Sequence, residues 1–146
     1  MDNKQIKNIM LKKGGHCEDS LNDLENARTV RELTHVLFDY IKPCMEKDFP
    51  TYEIMEHFKL KGEPYGVYVD SRGVFEAQEQ NILYGDSTIT LHVKPYDVVR
   101  IYLKHIAHVD LSVGEEAIVL LYKFDQSTFK IINGDKNNIF IRDKIK

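Results

Sequence analysis

The sequence predicts an α+β chain, with a helical segment over residues 1–62 followed by a two-sided β-solenoid over residues 63–146, ten residues per strand unit. Three observations predict it. Apolar residues recur at helical spacing before Gly62 and at strand spacing after Tyr65. Two columns of large apolar residues repeat every ten positions between residues 86 and 142. The outward residues alternate in character from one unit to the next, which doubles the true period to twenty.

The helical segment is read from caps and stripes. Asp2 with Gln5 forms a capping box, and Ile6, Ile9 and Met10 make a short stripe that stops at Gly14-Gly15. Cys17, Leu21 and Leu24 follow at i, i+4, i+7. Thr29-Val-Arg-Glu32 is a stronger capping box, and behind it Leu33, Val36, Leu37, Tyr40 and Ile41 share one face. Pro43 ends or kinks that helix, and Pro50 opens another that carries Ile54, Met55 and Phe58. These three or four helices are short, so they need tertiary packing to persist. After them, Tyr65 to Asp70 and Gly73 to Gln78 read as strands around the Asp70-Ser-Arg-Gly73 turn.

The repeat carries most of the information. Every tenth residue from Ile89 gives Ile89, Val99, Val109, Val119, Phe129 and Ile139. Every tenth from Leu91 gives Leu91, Ile101, Leu111, Leu121, Ile131 and Ile141. Twelve apolar residues in twelve positions have a chance probability on the order of 10⁻⁵ in a chain of ordinary composition. Alternate strand residues face opposite ways, so these columns line an interior, with Leu111 and Leu121 in mid-stack. Ser87, Asp97, Ala107, Ala117, Ser127 and Asn137 form a small or turn-forming column that suits a corner. Val93, Leu103 and Val113 form a third inward column that fails at Lys123.

The outward positions set the number of sides. Thr88, Thr90, His92, His108, Asp110, Ser112, Thr128, Lys130 and Ile132 belong to units one, three and five, and only Ile132 is apolar. Val98, Arg100, Tyr102, Ile118, Leu120, Tyr122, Asn138, Phe140 and Arg142 belong to units two, four and six, and most are apolar or aromatic. The simplest object is a flattened solenoid of about three coils, stacked roughly 4.8 Å apart. One face is wet and the other wants cover, from the Leu33–Ile41 stripe or from a second copy. An antiparallel β-sandwich is the alternative. It calls for Asn-Gly or Asp-Gly hairpin turns, of which only Asn133-Gly134 qualifies.

Composition bounds the function. The chain has 146 residues, 42% apolar and 29% charged, with net charge −3. That is one globular domain's worth of chain, and it argues against a broadly basic nucleic-acid surface. The two halves carry 10 basic and 11 acidic, then 10 basic and 12 acidic side chains, and no low-complexity linker separates them, so one cooperative unit is expected. No apolar run approaches a membrane span, and the first residues lack a signal-peptide apolar core, so the expected location is the cytoplasm. Cys17 and Cys44 are then expected to be reduced and at least partly buried.

Gly15-His-Cys17-Glu-Asp-Ser-Leu21 fits an Ala/Gly-x-Cys-x-(Asp/Glu)-x-Leu start, and Asp86-Ser-Thr-Ile89 and Asp125-Gln-Ser-Thr-Phe129 fit Asx-Ser-x-Val units. On those motifs the chain resembles a group of phage and mobile-element proteins of gut bacteria, with a short helical segment before a degenerate β-repeat. The tryptophans frequent in that group's helical segment are absent here. The resemblance implies a genomic context and no mechanism.

No nucleotide-binding or hydrolase signature is present, and no catalytic residue, metal ligand set or cofactor is expected. His105 and His108 form HxxH, which on a strand points the two rings to opposite faces. His16, Cys17 and Cys44 lack a fourth zinc ligand at sensible spacing. His108, Asp110 and Ser112 share a face, but positions two apart splay by about 7 Å, which suits a solvated face rather than a triad. Glu76 with Glu79, and Glu115 with Glu116, read as solvent-facing charges. The expected interaction face is Val98, Arg100, Tyr102, Ile118, Leu120, Tyr122, Phe140 and Arg142. It fits a protein partner or a homodimer; its base-and-aromatic mix is too sparse to favour single-stranded nucleic acid. The competing reading is a small-ligand protein or enzyme. Its pocket would lie where the helices meet the first coil, near Tyr65, Tyr68 and Tyr84, because a narrow solenoid fills its own interior.

Overall fold

The computed structural model describes residues 29–39 and 55–144. Within them the chain is a β-solenoid. Nine strands alternate between two parallel sheets, one of order β1-β3-β5-β7-β9 and one of order β2-β4-β6-β8, making about four coils. The strands are β1 Val67–Val69, β2 Arg72–Glu76, β3 Gln80–Tyr84, β4 Thr88–Val93, β5 Val98–Leu103, β6 His108–Val113, β7 Ile118–Phe124, β8 Thr128–Asn133 and β9 Ile139–Lys144. Parallel pairing throughout excludes the antiparallel sandwich.

The register has the twenty-residue period: Thr88 pairs with His108 and His108 with Thr128, while Val98 pairs with Ile118. The interior columns follow. Leu91, Ile101, Leu111 and Leu121 are fully buried, as are Val109 and Val119, and Val93, Leu103 and Val113 join them. Among the described residues no coil stacks on β8 and β9, and there the columns open: Phe129 and Ile131 are only partly buried and Ile141 is 47% exposed.

The corners after β3, β4, β5, β6 and β7 each turn through one left-handed residue. Gly85, His105 and Asp125 hold this place after β3, β5 and β7, with φ of 70°, 56° and 54°; Tyr96 and Glu116 hold it after β4 and β6, at 66° and 59°. Side chains other than glycine enter this region at a cost of order 1 kcal/mol, and stacked corners offset it by bonding one another. The Tyr96 N–H donates to Glu115 O at 3.0 Å and that of Gln126 to His105 O at 3.1 Å. The small column lies at the corners, with Ser87, Ala107, Ala117 and Ser127 buried. Asp97 and Asn137 stay exposed. Gly114 is required by close approach, since a Cβ there would sit 2.5 Å from the Pro95 nitrogen of the corner beneath.

The stack begins earlier than the ten-residue columns suggest. Val67 pairs with Ile82 and Arg72 with Thr88, offsets of fifteen and sixteen, so the first coil is short. Asp70-Ser-Arg-Gly73 is therefore a corner that carries the chain from one sheet to the other. The expected count of about three coils was low for this reason.

One described helix, α1 Val30–Asp39, packs on the solenoid. Its capping box forms as expected, with the Glu32 N–H donating to Thr29 Oγ1 at 3.1 Å and the Thr29 hydroxyl to Glu32 Oε1 at 3.1 Å. Leu33, Leu37 and Phe38 bury against the outer side of the five-stranded sheet, with Met55 and Phe58 beside them. The readings on residues 1–28 and 40–54, including Cys17 and Cys44, lie outside the described residues. No helix among the described residues is long and apolar enough to cross a membrane.

Candidate interaction face and helix–solenoid junction

All eight residues of the expected interaction face lie on β5, β7 and β9, and the register sorts them into rows. Val98 pairs with Ile118 in the first row. Arg100, Leu120 and Phe140 make the second, and Tyr102, Tyr122 and Arg142 the third. The rows differ in cover. Tyr102 is buried and stacks on Tyr122, centroids 4.9 Å apart and planes 13° apart, and both join the cluster built by α1. Burial, then Tyr122, push the Tyr102 phenol above its ordinary value, against a smaller lowering by Arg100. The other rows are open, with Val98 55%, Ile118 38% and Phe140 56% exposed, Leu120 partly buried, and Arg100 and Arg142 at the surface. The helix thus covers one end of the apolar face and leaves the other.

The wet sheet holds a contact that strand geometry alone does not suggest. His108 Nε2 lies 2.8 Å from Asp110 Oδ1, and its Nδ1 lies 2.7 Å from Thr128 Oγ1 on the next coil. The expected splay of i and i+2 is overcome because the ring leans along its strand while its other nitrogen is anchored across the ladder. Ser112 makes no hydrogen bond to this pair among the described residues. His105 sits at a corner, edge-on to Tyr84 at 4.4 Å, and so does not share a ligand position with His108. Among the described residues no three His, Cys, Asp or Glu side chains converge as a metal site does. Glu76, Glu79, Glu115 and Glu116 are exposed.

Lys104 and Asn81 are two of several buried polar residues that the apolar pattern does not announce. Lys104 is buried, with its Nζ 3.2 Å from Asp125 Oδ2 and 5.8 Å from the Phe124 ring centroid. Asn81 occupies the inward position that Ile101 holds one coil on. Its Oδ1 accepts from Gln78 N at 2.9 Å, and its Nδ2 donates to Gln78 O and Arg100 O at 2.8 and 3.1 Å. The signal for Asn81 was available only through the coil register, because the residue type breaks the apolar column.

At the opposite end of the stack, α1 and the Glu63–Tyr65 turn flank the first coil. One cleft of about 240 Å³ lies between them, lined by Arg31, Thr34, Phe38, Tyr65 and Gln80 among others. A second, of about 340 Å³, is lined by Leu60, Glu63, Pro64, Tyr68, Phe75, Glu76 and Gln78. Tyr68 points inward from β1, fully buried, with its ring 4.9 Å from that of Phe75. Its hydroxyl, itself closed off from the surface, has no hydrogen-bond partner among the described residues. Burial, and after it the charge of Glu63, hold this phenol well above its ordinary value. Tyr65 borders the first cleft and Tyr68 the second, while Tyr84 belongs to the helix cluster and lines neither among the described residues.

Comparison of the chain with protein-family models, with curated proteins and with solved structures finds no match.

Proposed function

We propose that the chain is a non-catalytic protein-interaction module, encoded by a phage or mobile element, whose solenoid offers the open rows of β5, β7 and β9 to an acidic, apolar protein segment. One observation carries this reading. Val98, Arg100, Ile118, Leu120, Phe140 and Arg142 form an exposed or partly exposed patch without a single carboxylate, in a chain of net charge −3. Aromatic, aliphatic and arginine side chains on a rigid ladder are the composition of interface centres. Charge selects the partner. Two copies packed face to face would bring four guanidinium groups into one desolvated contact, with no carboxylate from this patch to match them. Single-stranded nucleic acid loses its stacking platform, because Tyr102 and Tyr122 are engaged with each other and with the helix cluster.

The test joins sedimentation with capture from host cells. The wild type is expected to sediment as a monomer and to retain a specific protein. Leu120→Asp and Arg100→Glu should lose that protein while staying folded, and Thr90→Ala on the wet sheet should keep it. A wild-type dimer that Leu120→Asp splits into folded monomers would assign the face to a second copy and overturn the acidic partner. Retention by all variants would remove the face from the interaction.

A further inference from the structure

The outermost strands of the two sheets are not guarded alike. A sheet edge offers unpaired N–H and C=O groups to any extended chain, and proteins blunt such edges with short strands, bulges, charge or breaks in the strand. β1 is three residues long and fully buried, and its Val67 N–H donates to Gly62 O at 2.9 Å. β2 holds Gly73 at a φ of 128°. β8 carries outward Lys130, and its register slips at Ile132. β9 pairs with β7 without a break from Ile139 to Lys144, and its first half, Ile139-Phe140-Ile141, has no charge, proline or glycine. Among the described residues no strand pairs with its other edge.

The register says which groups that edge presents. The N–H groups of Arg100 and Ile118 donate back to Glu79 O and Asp97 O, at 2.9 and 2.8 Å. Backbone groups alternate in direction along a strand. In the same register the N–H groups of Phe140 and Arg142 point back to β7, and the N–H and C=O groups of Ile139 and Ile141 point to the free edge. The side chains add a second observation. Ile141 lies in the column of fully buried Leu121 and is 47% exposed, so the interior is uncovered at the same edge. On the outward side, exposed Phe140 and Arg142 continue the open rows to this edge.

We propose that the acidic, apolar partner segment binds in extended form, as a sixth strand along β9. This rests on the interaction-face reading and gives it a binding mode. Main-chain bonds to Ile139 and Ile141 hold the segment. Its inward side chains are apolar and cover Ile141, and its outward side chains are acidic and face Arg142 across the strands. The partner is thus recognised by an alternating acidic and apolar sequence.

The probe is a peptide of about nine residues alternating glutamate and valine, titrated into the full chain. In the free chain the Ile139 and Ile141 amides should exchange fast with solvent, and saturating peptide should slow both. A lysine–valine peptide should bind at least about tenfold more weakly. Methylating one alternate set of peptide amides should abolish binding and methylating the other should spare it, because only one set faces β9. Ile141→Pro removes a free-edge N–H where an edge strand accepts proline; it should lose the peptide, while Ile141→Ala keeps most of the affinity. No saturable binding, or a lysine–valine peptide that binds equally, would overturn the proposal. So would slow exchange at Ile139 and Ile141 in the free chain, since the chain itself or a second copy would then fill the edge. Equal binding of the two methylated peptides overturns the added strand even if Ile141→Pro fails to fold. If Leu120→Asp and Arg100→Glu still lose the peptide in that case, the face stands without the strand; binding indifferent to these variants as well removes both.

Discussion

The middle coils and the first coil close the same kind of interior in different ways. In the middle, Leu91, Ile101, Leu111 and Leu121 stack fully buried on a strict twenty-residue register. In the first coil the register shortens to fifteen or sixteen, Asn81 replaces the aliphatic column, Phe75 is only partly buried, and Tyr68 keeps an unpaired hydroxyl. The middle columns are held by dispersion and the hydrophobic effect, with buried polar groups such as Lys104 and Ser127 confined to the corners. The first coil is held by specific hydrogen bonds around one irregular corner. Regular stacking therefore marks where the chain is built for stability, and the departure from it marks where the clefts lie.

The difference can be broken most forcefully from the middle. Leu111→Ala should destabilise by about 2–5 kcal/mol, because the coils above and below it cannot both collapse into the space. Ile141→Ala, in the same kind of column but 47% exposed on the last coil, should lose under about 1 kcal/mol. Denaturant unfolding of the two variants checks the gradient. Equal losses would mean that the interior is as tight at the end of the stack as at its centre.

Asn81 tests the first coil in its own chemistry. Asn81→Ala abandons three hydrogen bonds that hold the Gln78 peptide and the Arg100 carbonyl, and should cost about 1–3 kcal/mol. Asn81→Leu restores the apolar column and so separates the two ways of packing. It too should destabilise, since filling the volume does not satisfy the backbone groups. A stabilised Asn81→Leu would show that the first coil accepts the same packing as the middle.

On the wet face the contrast almost vanishes. Thr90 is partly exposed and Thr128 exposed, so Thr90→Ala should change stability by under about 1 kcal/mol. Thr128→Ala also removes the contact to His108 Nδ1 and should have the larger of the two effects in the same denaturation series.

What was legible in the sequence follows this division. A strict period makes position predict environment, so the interior columns, the corners and the apolar outer face of β5 and β7 were all readable from residue type and spacing. The Thr29–Glu32 cap was readable because it is local. The first coil was not, since its offset and its polar inward residue both break the period that revealed the rest. Lys104 is paired with Asp125, twenty-one residues on, and Asn81 joins local Gln78 to Arg100, nineteen residues on, so neither burial follows from the apolar pattern. His108 and Asp110 meet because Thr128 holds the ring, a contact that follows only from the coil register. Of the candidate sites, the rows of the outer face were legible residue by residue. At the junction Tyr65 and Tyr68 were, whereas Glu63 and Phe75 enter the cleft through the shortened coil.

The smallest expected effect is the most discriminating one for the first coil. Tyr68→Phe deletes a hydroxyl that makes no hydrogen bond, so at neutral pH the loss of packing and the relief of desolvation should nearly cancel, within about 0.5 kcal/mol. High pH separates the variant from the wild type. Burial, and secondarily Glu63, raise the Tyr68 phenol above its ordinary value. The unfolded chain releases that proton near pH 10, while the native chain retains it to higher pH. The native state then binds more protons, so stability is complete below about pH 10 and falls as pH rises through and above it. Tyr102, also raised chiefly by burial, adds a decline of the same sign. Thermal unfolding between pH 8 and pH 11.5, a range spanning the ordinary phenol value, should show a shallower loss in Tyr68→Phe than in the wild type, with the residual slope due to Tyr102. If instead Tyr68→Phe loses more than about 2 kcal/mol at pH 7, as removal of a satisfied buried group does, then the hydroxyl holds a bond. The first coil would in that case be as fully satisfied as the middle ones.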